Sequence, residues 1–193
     1  MNLVAIGASA GGPEAVVEIL RSLPAPFPVP ILLVIHGRDP FATAFAEWLD
    51  RQSNHPAAIA QAGEPLTALA GRVALAPPEH HLEVAAGRIA LTDGPPRHSC
   101  RPSIDVLFES LAREPGSAAI GCLLTGMGRD GAAGLLRMRQ AGCLTVAQDK
   151  ATSMIYGMPR EAVLLEAAEV VAPLPAIAGL LARAVDAAFS KAR

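Results

Sequence analysis

The chain has 193 residues, of which 51% are hydrophobic, 18% charged and 4% aromatic, with a formal net charge of -2. This length and apolar share fit one domain over residues 1–193 with a core of Ala, Val, Leu and Ile. The charge balance gives no basic footprint for nucleic acid and no attraction to an anionic bilayer. Cys100, Cys122 and Cys143 are odd in number and form no Cys-x-x-Cys pair, so no disulfide framework, thiolate metal site or other metal requirement is expected. Met1 opens a strand rather than a leader, and no apolar run is long enough to span a bilayer, so a cytoplasmic chain without membrane insertion is expected.

Met1 to Ile6 reads as a short apolar strand running into Gly7-Ala8-Ser9-Ala10-Gly11-Gly12-Pro13. Glu14 to Leu23 then has helical spacing, with Val16, Ile19, Leu20 and Leu23 on one face. The proline-dense Leu23 to Pro30 is too short for a domain linker and reads as a stiff surface connection. Ile31 to Ile35 is a continuous apolar strand of the doubly covered type and ends at His36-Gly37. Phe41, Phe45, Trp48 and Leu49 mark a helix ending near Gln52. Short strand-like pieces follow at 57–60 and 71–76, then a hairpin from 82–85 and 88–91 around Ala86-Gly87.

Pro102-Ser103 starts the next helix, with Ser103 as its N-cap and Ile104, Leu107, Phe108 and Leu111 as its buried stripe. Ala118 to Leu124 is a third strongly apolar strand, followed by the turn Thr125-Gly126-Met127-Gly128-Arg129-Asp130-Gly131 and a helix from Ala132 to Ala141. Cys143 to Ala147 reads as a strand, Pro159 opens a short helix, Val170 to Ala172 reads as a strand, and a final helix is striped from Ile177 to Ala188. This alternation predicts an α/β fold: a mainly parallel, doubly wound sheet flanked by helices, with a short antiparallel hairpin.

The first turn admits three readings. A P-loop needs Lys and a hydroxyl after its last glycine, and here Pro13 and Glu14 stand there. A dinucleotide turn places an acid at the end of the second strand, where this chain has His36. Gly7-x-Ser9-x-Gly11 fits a nucleophile elbow, although serine is also an ordinary turn residue. The carboxyl ends of parallel strands open onto one edge, so Ser9, His36 and Asp130 would converge there as nucleophile, base and orienting carboxylate. Asp130 also has the type and place of a helix N-cap, and Asp105 reads as a complement to its own helix dipole. His55, His80, His81 and His98 have no partner at metal-ligand spacing and read as loop or surface residues. A histidine base would lose activity on acidification near its reference value of about 6.5.

Five ordered segments resemble the catalytic domain of the CheB-type protein-glutamate methylesterases: residues 6–13, 76–81, 101–108, 123–131, and 147–149 through 156–159. The resemblance implies a parallel α/β fold and a triad of Ser9, His36 and Asp130. It further implies an oxyanion hole of backbone N–H groups at Met127 and Ala10, and no cofactor. The implied activity is hydrolysis of glutamyl γ-methyl esters on chemoreceptors, often beside deamidation of glutamine. A non-catalytic binding module on the same fold and a small-molecule carboxylesterase are the competing functions. The chain departs from the family at Ile35-His36-Gly37, where Gln-His-Met is common, and at Gln61-Ala62-Gly63-Glu64, where an acidic stretch is common. Many members carry an N-terminal phosphoacceptor receiver domain. An esterase starting at Met1 is expected to lack phosphorylation control in cis and to answer, if regulated, to a partner in trans.

Overall fold

The structure is a computed structural model that describes residues 2–37, 41–114 and 118–191; Met1 of the expected first strand lies outside them. Seven strands form one parallel sheet: β1 (Asn2–Ala8), β2 (Ile31–Ile35), β3 (Ala57–Ile59), β4 (Val73–Leu75), β7 (Ala118–Leu123), β8 (Leu144–Gln148) and β9 (Val170–Ala172). Their order is β3-β4-β2-β1-β7-β8-β9. β5 (His81–Ala85) and β6 (Arg88–Thr92) form the expected antiparallel hairpin.

Both faces of the sheet are covered, and the period-two direction of side chains sorts the core. From β1 and β2, Val4, Ile6, Ile31, Leu33 and Ile35 point to the face covered by α1 (Gly12–Ser22), α2 (Phe41–Gln52) and α6 (Leu174–Lys191). Leu3, Ala5, Leu32 and Val34 point to the other face, under α3 (Ile104–Arg113), α4 (Ala132–Gln140), α5 (Met158–Leu164) and the hairpin. The expected elements agree with these to within a few residues at each end. The proline-dense connection is more than a surface strap, because Phe27 and Val29 within it are buried in the first core layer.

Chain order fixes where a site can form. From β1 the chain moves outward through β2 to β3 at the edge, fills in β4 between those two, then returns to place β7 on the other side of β1. The winding reverses at β1, and the carboxyl edge at such a switch point is where open α/β sheets form their crevice. The turns after β2, β1 and β7 meet there.

Candidate active site

Ser9 follows β1 directly, in a turn tied to both neighbouring strands. Its N–H donates to Thr125 O at 3.0 Å, and its carbonyl accepts from the Gly12 N–H at 2.8 Å. His36 N–H donates to Ala8 O at 3.1 Å on the other side. Gly11 has φ of 76°, a left-handed conformation that a side chain would disfavour. Gly126 lets the β7 turn close on Ser9, since a Cβ there would lie 2.7 Å from the Ser9 Cβ. The Thr125 hydroxyl donates to Ala10 O at 2.9 Å and braces the two turns against each other. Among the described residues, the Ser9 hydroxyl and the N–H groups of Ala10 and Met127 have no hydrogen-bond partner. Met127 lines the crevice, and it is 75% exposed.

His36 and Asp130 form a direct pair, with His36 Nε2–H donating to Asp130 Oδ2 at 2.8 Å. Asp130 is buried and fully engaged. Its Oδ2 also accepts from the Ile104 N–H at 2.7 Å, and its Oδ1 accepts from the Ser103 hydroxyl at 2.7 Å and the Asp105 N–H at 3.1 Å. The sequence placed Asp130 at the start of its own helix, but Gly131 is the N-cap of α4 and Asp130 caps α3 instead. Ser103 occupies the N-cap position of α3 without a side-chain cap bond, because its hydroxyl turns to Asp130.

Asp105 completes a reciprocal arrangement. Its side chain has no solvent exposure, and Oδ1 accepts from the Gly134 N–H of α4 at 2.7 Å. The start of α3 is thus capped by Asp130 from the turn before α4, and the start of α4 by Asp105, which keeps its expected place in the first turn of its own helix. Partial positive charge at helix N-termini favours such anions. Gly134 is required for the crossing, since a Cβ there would meet Asp105 O and the Phe108 Cβ at 2.8 Å each.

The electrostatics follow from this packing. Burial pulls the His36 pKa down, but the hydrogen bonds to Asp130 and Cys100 and the charges of both groups outweigh it and raise the pKa to about 9. Burial pushes Asp130 up, while the bonds from His36, Ser103 and Ile104 more than offset this and hold it below its ordinary value. Asp105 is raised, by burial first and by the nearby Asp130 charge as well. The reference titration near 6.5 expected from sequence is thus displaced upward for His36.

The orientation of the ring decides which nitrogen can act. Nε2 is committed to Asp130, and Nδ1 faces Cys100 Sγ at 3.7 Å. The Cys100 sulfur also lies 3.4 Å from His98 O. Cys100 was not singled out from sequence for this role; its place just before the quoted Arg101-Pro102-Ser103 segment is the only signal that could have drawn attention to it.

Several other histidines differ from the sequence reading. His81 is buried, accepts the Ser103 N–H at Nδ1 (3.1 Å) and donates from Nε2 to Pro95 O (3.2 Å), which fixes the entry of α3. His55 is 1% exposed, lies edge-on to Phe27 and has a lowered pKa because of burial. His80 stays at the surface near Asp93. His98 donates from Nε2 to Asp105 Oδ2 at 3.0 Å. Potential ligand atoms also cluster within 4.8 Å in two groups, His36-Cys100-Asp130 and His98-Asp105-Asp130, which linear spacing did not reveal. In both groups the donor atoms are engaged with one another and with helix N–H groups.

An open cavity of about 580 Å³ lies against this pair, lined by His36, Cys100, Met127, Arg129, Asp130 and Glu161 among others. Ser9, His36 and Asp130 are thus brought to one edge: a serine on a strand-to-helix turn, a histidine and an orienting carboxylate. That set lies at the switch point of a parallel sheet, the arrangement in which an α/β serine hydrolase would build its site. Residues 4–181 match the family model described as CheB methylesterase, and the chain belongs to that family.

Two curated relatives are similar over almost the whole chain. A protein-glutamate methylesterase/protein-glutamine glutaminase of a group 3 operon from Pseudomonas putida is 51% identical over 93% of this chain and 53% of its own length. Protein-glutamate methylesterase/protein-glutamine glutaminase 1 from Cupriavidus pinatubonensis is 50% identical over 95% of this chain and 53% of its own length. The chain spans about half the length of the curated relatives it matches. The crystal structure of the Thermotoga maritima CheB methylesterase catalytic domain superposes with a TM-score of 0.88 at 32% identity, covering 94% of this chain and 97% of that one.

Proposed function

We propose that the chain is a single catalytic domain that hydrolyses γ-methyl esters of glutamate side chains on a protein substrate of the chemoreceptor type, working in the cytoplasm. Ser9 is the nucleophile, His36 Nδ1 the base and Asp130 the group that fixes the ring. The observation that carries this reading is the 2.8 Å pair between His36 Nε2 and Asp130, beside the serine turn of a chain in this family. With Nε2–H committed to Asp130, the proton acceptor is Nδ1, the opposite assignment to that of the familiar protease triads.

Ser9 Oγ attacks the ester carbonyl as its proton moves to Nδ1. The oxyanion is met by the N–H groups of Ala10 and Met127, which are free of acceptors among the described residues. Each such donor is worth about 3 kcal/mol in comparable hydrolases. Collapse expels methanol, protonated by His36, and water then attacks the acyl-enzyme by the same route to leave a glutamate carboxylate. Glutamine would follow the same path with ammonia as leaving group, in keeping with the glutaminase half of both relatives' names. The Ser9 hydroxyl has no hydrogen-bond partner among the described residues, and catalytic hydrogen bonds commonly tighten only when substrate is bound. A regulator acting in trans is part of this proposal.

Methanol release from a methyl-esterified receptor segment tests the reading. Ser9→Ala should keep the fold by circular dichroism and lose about 10³-fold or more in turnover. Equal methanol release by the two proteins would exclude Ser9 as nucleophile.

A further inference from the structure

Arg129 enters the crevice in a way that the ester chemistry does not use. It lines the cavity beside His36, one residue before Asp130, and is exposed. Its Nε–H donates to His98 Nδ1 at 3.2 Å, and His98 passes the tether on through Nε2–H to the buried Asp105 Oδ2 at 3.0 Å. This chain fixes the tautomer of His98 and aims the guanidinium. The loop that delivers His98 is itself built under strain, with φ of 50° at His98 and 61° at Ser99, both left-handed in non-glycine residues.

The other cations around the crevice are already paired. Arg97 makes a two-bond pair with Glu109 at 2.6 and 2.7 Å, and Arg101 lies 3.0 Å from Glu79. Arg129 has no carboxylate partner among the described residues, and its two terminal nitrogens have no partner at all among them. Glu161, a half-buried carboxylate on the cavity wall, lies 3.9 Å from Arg160. A guanidinium anchored by Nε presents its terminal nitrogens as a planar fork matched to a carboxylate.

We infer that Arg129, oriented by His98 and Asp105, selects substrate segments that carry a free carboxylate beside the scissile ester. The inference rests on the esterase reading of the same site and names its substrate preference. Hydrolysis turns each methyl ester into a glutamate carboxylate, so a segment with several such positions presents this group as soon as one has reacted. Arg129 is then a specificity residue, and His98 and Asp105 are positioning residues acting through it.

Two peptides test this, each with one γ-methyl glutamate, flanked by glutamates in one and by glutamines in the other. Wild type should favour the glutamate-flanked peptide by about tenfold in kcat/KM, through KM, as one added charge-assisted pair would give. In Arg129→Gln the ratio should fall to near one, and in Arg129→Glu it should invert toward the glutamine-flanked peptide. His98→Ala should reduce the ratio by an intermediate amount, a change in selectivity that a purely structural role would not produce. No preference in wild type, or an unchanged ratio in Arg129→Gln, would overturn the inference. If neither peptide is turned over, the esterase reading fails separately, and calorimetric titration of both peptides into wild type and Arg129→Gln still decides the role of Arg129: tighter glutamate-flanked binding in wild type alone supports it, and equal binding refutes it.

Discussion

The two turns that flank the crevice are built in opposite ways. The turn after β7 holds Asp130 with four hydrogen bonds to its carboxylate, from His36, Ser103, Ile104 and Asp105. The turn after β1 holds Ser9 by its backbone alone, through Thr125 O and the Gly12 N–H. One side fixes a charge and the other fixes only a position. A carboxylate that must orient an imidazole gains from being immobile, whereas a hydroxyl that must swing toward a substrate carbonyl gains from a firm backbone and a free rotor.

The sharpest way to break this contrast is to remove the fixed charge. Asp130→Asn should lower kcat by about 10³ to 10⁴-fold, because a neutral amide can present its NH2 to the ring and no longer holds the Nε2–H tautomer with a charge. It should also lower stability, since three N–H and O–H donors around the start of α3 lose an anionic acceptor. A kcat within tenfold of wild type would mean that the pair does not orient the base.

The pH dependence probes the same pair with a smaller effect. A base must be neutral, and His36 is raised to about 9, so kcat/KM should climb close to tenfold per pH unit up to that region. Cys100→Ala removes one of the causes and should move the limb downward, raising activity at neutral pH. A limb near 6.5 in both proteins would show that neither Asp130 nor Cys100 perturbs the ring. For stability, the raised His36 contribution is full below 6.5 and is lost as pH rises through about 9, whereas the depressed Asp130 contribution is lost as pH falls through the acid range. The wild-type protein should therefore weaken between pH 6.5 and 9 more than Asp130→Asn does in chemical denaturation.

Gly134→Ala tests the crossing that carries both carboxylates. The added Cβ meets backbone and Cβ atoms at 2.8 Å, so a cost of about 1–3 kcal/mol is expected in denaturant unfolding. A change below half of that would show that α3 and α4 can part without strain.

Much of this geometry was legible from the chain. Continuous apolar runs gave β1, β2 and β7, and their following turns carried Ser9, His36 and Asp130 to one edge, because strand direction alone decides which ends share an edge. The tethers around those residues were not legible. His81 acts from the start of β5, and His98 and Cys100 act from the connection between the hairpin and α3; nothing in local spacing shows where these come to lie. Asp130 and Asp105 each looked like a cap for a nearby helix, which is correct as chemistry. They cap each other's helices, a choice made by the close crossing at Gly134. The buried His55 was misread because its cover comes from Phe27, 28 residues earlier.

The central claim is that Ser9 is a nucleophile activated by His36, and covalent labelling tests it most directly. An activity-based fluorophosphonate, followed by peptide mapping, should place one adduct on Ser9 in wild type and none in His36→Ala. An adduct elsewhere, or none in a preparation that still releases methanol, would contradict the account.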